Sequence, residues 1–298
     1  MNLSIMLAAL IFGAQAASPT PAPERIGAPG CRPYAGLEKL WTNKSLRWIV
    51  VGEMHGTWEM PVAFRDIVCN ASAAKRPIVV AVERSETEQA DIDAFLKSDG
   101  GRDAQTALLQ SGTWRDKEMQ DGRGSRAYLH LLDHLRVMHQ VGAIKKVVAF
   151  QPADGDIANY EEGMAKRLQS ASPGKETLVL AFVGNFHAMR IPIRDKRPAA
   201  AYLPSAETFT INLESSGGTA WNCAATGPSP PSGSFSDAVA AGRIICGPQK
   251  LGGTGVSGAA RLEMLDDPKA PYDALLFMGG PASASPPAVA QVDVAPER

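Results

Sequence analysis

Six short runs of apolar, largely β-branched residues recur along the chain: "LRWIVVG" (46–52), "PIVVAVE" (77–83), "KKVVAFQ" (145–151), "TLVLAFVG" (177–184), "TFTINL" (208–213) and "DALLFM" (273–278). Runs of this length without polar alternation predict strands buried on both faces. The segments between them carry helical signals. Pro61 suits the first turn of a helix running to about Lys75. Ser85 and Glu88 form a capping box ahead of "QADIDAFLKS". In "SRAYLHLLDHLRVMHQVG" (125–142), Tyr128, Leu131, Leu132, Leu135 and Met138 share one face, and Gly142 stops the helix. A fourth helix is predicted over 156–171. Alternating strand and helix predicts an α/β fold, a predominantly parallel sheet with helices on both faces.

The ends of the chain read differently. Leu3 to Phe12 is apolar but too short to span a bilayer. It leads into Ala14-Gln15-Ala16, a small-x-small cleavage pattern. Residues 1–17 are therefore expected to be a signal peptide and 18–30 a flexible leader, which makes the protein secreted or periplasmic. Residues 31–278 form the expected single domain, with a Cys-bracketed insertion at 217–260. The Pro/Ala/Ser-rich stretch 279–298 is expected to be a disordered tail.

In an open parallel sheet, ligands bind beyond the carboxyl ends of the strands. Here those ends carry Glu53 and His55 after the first strand, and Glu83 and Arg84 after the second. Gln151, Asp154 and Asp156 follow the third, and Asn185, His187 and Arg190 follow the fourth. Gly52 and Gly56 flank the first pair and let the backbone turn sharply. Glu53 and His55, two apart in extended chain, point to one side. They can act as an acid/base pair in which the carboxylate orients the imidazole. Alternatively, with Glu83 and His187, they can complete a metal shell. Glu59, Trp114 and Arg123 join Arg84, Asn185 and Arg190 as candidate substrate contacts. "HLLDH" (130–134) has inverted-zincin spacing, but Asp replaces Glu there, and a polar helix face is the simpler reading.

Composition narrows the classes further. A net charge of −1 provides no field for nucleic acid, and no later segment is long and apolar enough to cross a membrane. Neither a G-x-S-x-G elbow nor a phosphate-binding P-loop occurs. The four cysteines, Cys31, Cys69, Cys223 and Cys246, lack CxxC spacing, and in an exported protein they are expected to form disulfides. A Cys223–Cys246 bridge would staple the Gly/Pro/Ser-rich insertion, with Cys31–Cys69 as the natural second pair. Sequence alone does not choose among the three possible pairings.

The stretch "GEMHGTWEMPVAFRDIV", followed by a strand ending "VVAVERSE", resembles the opening motif of the erythromycin esterase-like family. This chain has one residue fewer between Glu53 and His55 than that pattern. The shorter spacing, together with "GNFHAMR", looks more like the ChaN-like haem-binding proteins. Tiki-type proteases belong to the same wider superfamily. The resemblance implies that Glu53, His55, Glu83 and His187 are the functional quartet. It implies hydrolysis of an ester or amide bond in a small-molecule or peptide substrate, with His55 or a divalent metal (Zn or Mn) activating water. The ChaN-like side implies haem or metal binding without catalysis, and a possible homodimer.

Overall fold

The computed structural model describes residues 30–74, 76–116, 120–153, 159–226, 242–253 and 258–289. The expected signal peptide, nearly all of the expected leader, and Asp154 and Asp156 lie outside the described residues. Seven strands form the main sheet: β1 (Trp48–Glu53), β2 (Ile78–Ser85), β3 (Lys146–Gln151), β4 (Leu178–Gly184), β5 (Thr208–Glu214), β8 (Arg261–Met264) and β9 (Ala274–Phe277). Their order is β3-β2-β4-β1-β5-β9-β8, and every pairing is parallel except β8 with β9. All six predicted apolar runs are strands of this sheet. The short antiparallel edge strand β8 carries no apolar run and was not expected.

Side chains alternate across the sheet, as the period of two requires. Ile49, Val51, Val80, Val82, Leu180 and Phe182 face one core. That core is covered by α2 (Glu59–Ser72), α3 (Gln89–Lys97) and α5 (Arg126–Gln140), with the short α1 (Glu38–Thr42) and α4 (Arg102–Leu108) beside them. Trp48, Val50, Val79, Ala81, Val179 and Ala181 face the other core, under α6 (Tyr160–Ala171). Helices therefore cover both faces. Among the described residues no helix is long and apolar enough to cross a membrane.

The Cys-bracketed insertion carries strands near both ends. Its two ends pair as an antiparallel ribbon, β6 (Gly218–Ala225) with β7 (Ile244–Leu251), in a register that sets Cys223 opposite Cys246. The Cys223–Cys246 and Cys31–Cys69 disulfides are both formed, and no cysteine is free. Two disulfides point to an oxidising environment, secreted or periplasmic. The Cys223–Cys246 link closes a separation of 23 residues. Reducing it, or replacing both cysteines by alanine, is expected to cost roughly 3 kcal/mol, mainly through the unfolded chain. Thermal melts of Cys223→Ala/Cys246→Ala against wild type measure this, and an unchanged Tm would show that the ribbon holds without its staple.

The expected disordered tail is corrected for residues 279–289. Ala282, Ser285 and Ala288 are buried. Trp58 N donates to Ser283 O, Ser285 N to Gly56 O, Arg126 N to Pro286 O, and Ala288 N to Gly124 O. The Pro/Ala/Ser composition that imitates disorder is what lets this segment thread between closely spaced backbones. Residues 290–298 lie outside the described residues.

Candidate active site

β1, β2 and β4 are adjacent in the sheet, so their carboxyl ends bring Glu53, His55, Glu83 and His187 together. Glu53 Oε1 lies 2.8 Å from His55 Nδ1. His55 Nε2 lies 3.4 Å from Glu83 Oε2, and His187 Nε2 lies 3.8 Å from Glu83 Oε1. Glu83 is the shared member, and its Oε2 also accepts from Gly184 N at 2.6 Å. Gly184 ends β4 against the site: a Cβ there would lie 2.9 Å from His55 Nε2. Both carboxylates are buried, whereas the imidazoles keep 16% and 20% of their side-chain surface exposed, enough to meet a ligand.

Burial and charge act in opposite directions on these groups. For His55, burial opposes protonation, but Glu83 and Glu53 outweigh it and hold the imidazole up at about 9. His187 is likewise raised, burial being overcome by Glu83 and Glu161. Burial pushes Glu83 up, yet His55, His187, Arg123 and the Gly184 N–H bring it below its ordinary value. Glu53 moves the other way. Burial raises its pKa despite the bond to His55, and its Oε2 is buried without a partner.

Of the six candidate substrate contacts, Arg123 reaches the quartet. Its Nη1 is 3.6 Å from Glu83 Oε1 and donates to Gln151 Oε1 at 3.0 Å, while Nε and Nη2 hold Asp121 at 2.9 and 2.7 Å. The structure commits the other five elsewhere. Arg84 is fully buried, paired with Glu88 and stacked 4.1 Å from the centre of the Trp114 ring, so both residues belong to the packing beneath the site. Glu59 accepts from Ser283 N and Oγ and fastens the C-terminal segment. Arg190 binds Asp273, Ala270 O and Asp267 O, away from the quartet. Asn185 serves through its backbone, donating to Glu53 O and accepting from Tyr272 Oη. On α5, His130 is exposed and His134 half-buried, with His134 Nδ1 2.8 Å from His130 O.

Two participants did not figure among the expected site residues. Asp121 orients Arg123, and Glu161, in the first turn of α6, holds His187 Nδ1 at 2.8 Å. Glu161 begins the helix that follows β3. Extending the strand-end rule to the next helix N-terminus would have found it.

The resemblance also allows a metal. Both imidazoles have Nδ1 on a carboxylate, as metal-binding histidines usually do. Yet among the described residues no group of three or more His, Cys, Asp or Glu is placed to hold an ion. Arg123 already sets a fixed cation beside Glu83. The donors as arranged form an ion-pair chain and not a metal shell. The neighbouring cleft is lined by Glu161, Glu162, Asp195, Lys196 and Arg197 among others, an environment suited to a polar ligand over an apolar macrocycle such as haem.

The mostly parallel seven-stranded α/β sheet is a fold this chain shares with known structures. The chain is similar in fold to an erythromycin esterase mutant solved in its open conformation, at 9% identity and a TM-score of 0.57, over 81% of this chain and 92% of that one. It is also similar to a succinoglycan biosynthesis protein, at 9% identity and a TM-score of 0.55, over 86% and 93% of the two chains. No protein-family model and no curated protein sequence matches it. At this identity the likeness establishes the fold.

Proposed function

We propose that this is an exported hydrolase of ester or amide bonds in a small-molecule or peptide substrate, with residues 1–17 as its signal peptide. The observation that carries the reading is His55, whose Nδ1 is held by the buried Glu53 carboxylate while the ring keeps 16% of its side-chain surface exposed. This is the geometry of a general base, because the carboxylate fixes the tautomer and stabilises the imidazolium formed when water loses its proton. Arg123, kept cationic by Asp121 and Glu83, is the group best placed to meet the negative charge that develops on the carbonyl oxygen. Glu83, ionised between the two imidazoles, holds both in place.

The base form requires neutral His55, and its pKa is raised to about 9. Turnover of a panel of neutral esters and amides is therefore expected to increase as pH rises toward that value. Stability should move the other way. A raised imidazole pKa contributes stability that is complete below the ordinary 6.5 and is lost as pH rises through about 9. The lowered Glu83 contributes above the ordinary 4.5 and loses its share as pH falls through its native value. Tm should thus be highest between 4.5 and 6.5. No turnover of any panel member at any pH would overturn the hydrolytic reading, and a Tm maximum on the alkaline side would contradict the ion-pair chain.

A further inference from the structure

Glu161 repeats, on the far side of Glu83, what Glu53 does for His55. Its carboxylate oxygens lie 2.8 and 2.9 Å from His187 Nδ1, and Oε2 also accepts from Ala199 N at 2.8 Å. Each imidazole therefore has its Nδ1 engaged and turns Nε2 toward the same carboxylate, at 3.4 Å for His55 and 3.8 Å for His187. The two pairs differ in their surroundings. Glu53 is 2% exposed, whereas Glu161 is 21% exposed. Glu161 also lines a cleft of about 330 Å³ with Tyr160, Phe186, Lys196 and Tyr202. Both imidazoles can meet a ligand, but only Glu161 of the two carboxylates opens onto space for part of a substrate.

We propose that His187, positioned by Glu161, is the general acid that protonates the leaving group, and that the cleft beside it receives that group. This rests on the hydrolytic reading above. Water attacks the carbonyl carbon and gives a proton to His55 Nε2. The bond from that carbon to the leaving oxygen or nitrogen then breaks, and its electron pair takes the proton from His187 Nε2. The products are a carboxylic acid and an alcohol or amine. Glu83, between the two Nε2 atoms, passes the proton from His55 back to His187 and restores the starting state. A dedicated acid is needed only when the leaving group is a poor one, so the class of substrate indicated is an ester or amide of an unactivated alcohol or amine. The charged side chains Glu162, Asp195, Lys196 and Arg197 that line the cleft suit a polar leaving group, with the rings of Tyr160, Phe186 and Tyr202 beside them.

The test compares wild type, Glu161→Gln, Glu161→Asp and Glu53→Gln on two esters of one acid, a p-nitrophenyl ester and an alkyl ester. Glu161→Gln is expected to lose about 100-fold on the alkyl ester and little on the aryl ester, whose leaving group needs no proton. Glu161→Asp should recover part of the loss, and Glu53→Gln should lose equally on both. A carboxylate-bound imidazole proton of His187 should appear far downfield in the proton spectrum of wild type and vanish in Glu161→Gln. Equal loss on both esters in Glu161→Gln would reduce Glu161 to a structural residue and overturn the proposal. So would persistence of the His187 resonance in that variant. Failure of wild type to cleave either ester would overturn the hydrolytic reading and the acid role with it, while the resonance still shows whether the Glu161–His187 pair exists.

Discussion

Glu53→Gln is expected to lower turnover by about 10²–10⁴-fold, the usual contribution of a positioned acid/base group, while leaving the protein as stable as wild type or more so. The two effects separate because Glu53 is poorly placed for stability. It is buried, its Oε2 has no partner, and burial already disfavours its charge. A neutral amide in the same volume relieves that cost, and gains of up to about 1 kcal/mol are common when active-site polar groups are neutralised. The amide cannot stabilise an imidazolium as the carboxylate does, so the base is lost. Combining Glu53→Gln with His55→Ala should be barely worse than either alone, because the two act as a unit. Paired melts and turnover measurements decide the matter. A strongly destabilised Glu53→Gln that keeps wild-type turnover would make the dyad a structural pair.

Gly56→Ala should be among the most damaging single-methyl additions at the described residues. Gly56 has φ +78°, and a Cβ there would lie 1.9 Å from the carbonyl oxygen of Trp221. Its own carbonyl accepts from both Trp221 N and Ser285 N at 2.8 Å, and Gly122, at φ +97°, packs against its amide. Three segments distant in sequence therefore meet at the residue after His55. Left-handed strain and the clash with backbone together should cost about 2–4 kcal/mol. The ribbon of β6 and β7 cannot stay seated, so the His55 turn shifts and turnover falls as well. Denaturant titration and activity of Gly56→Ala test this. Wild-type stability would mean that the ribbon does not press on the turn.

The apolar runs at 46–52, 77–83, 145–151 and 177–184 were legible as strands because burial on both faces leaves them no polar positions. The helical stripe from Tyr128 to Met138 was legible because one face alone is buried. The quartet followed from these, since residues just beyond buried parallel strands must meet at one rim. Asp121 sits on a loop, where no periodicity marks a direction; Glu161 lies within reach of the same strand-end rule once it is carried to the next helix N-terminus, but only the packed chain shows that the two aim at Arg123 and His187.

Arg84, Trp114 and Arg190 show the converse. Their types suggest ligand contact, but Glu88, four residues on, claims Arg84, and the tertiary fold supplies Tyr128 to Trp114 and Asp273 to Arg190. The same holds for the insertion and for residues 279–289. Low-complexity composition reports the absence of a local core, and it carries no information about a distant backbone against which small residues can pair. Strand and helix identity, and the collection of Glu53, His55, Glu83 and His187 at one rim, were determined by the sequence itself, because they depend on local periodicity and on one rule of sheet topology. The order β3-β2-β4-β1-β5-β9-β8, the docking of the ribbon on Gly56 and the choice of a partner for each buried charge were decided only in the tertiary structure. Those features depend on contacts between residues far apart in the chain, and no local pattern encodes them.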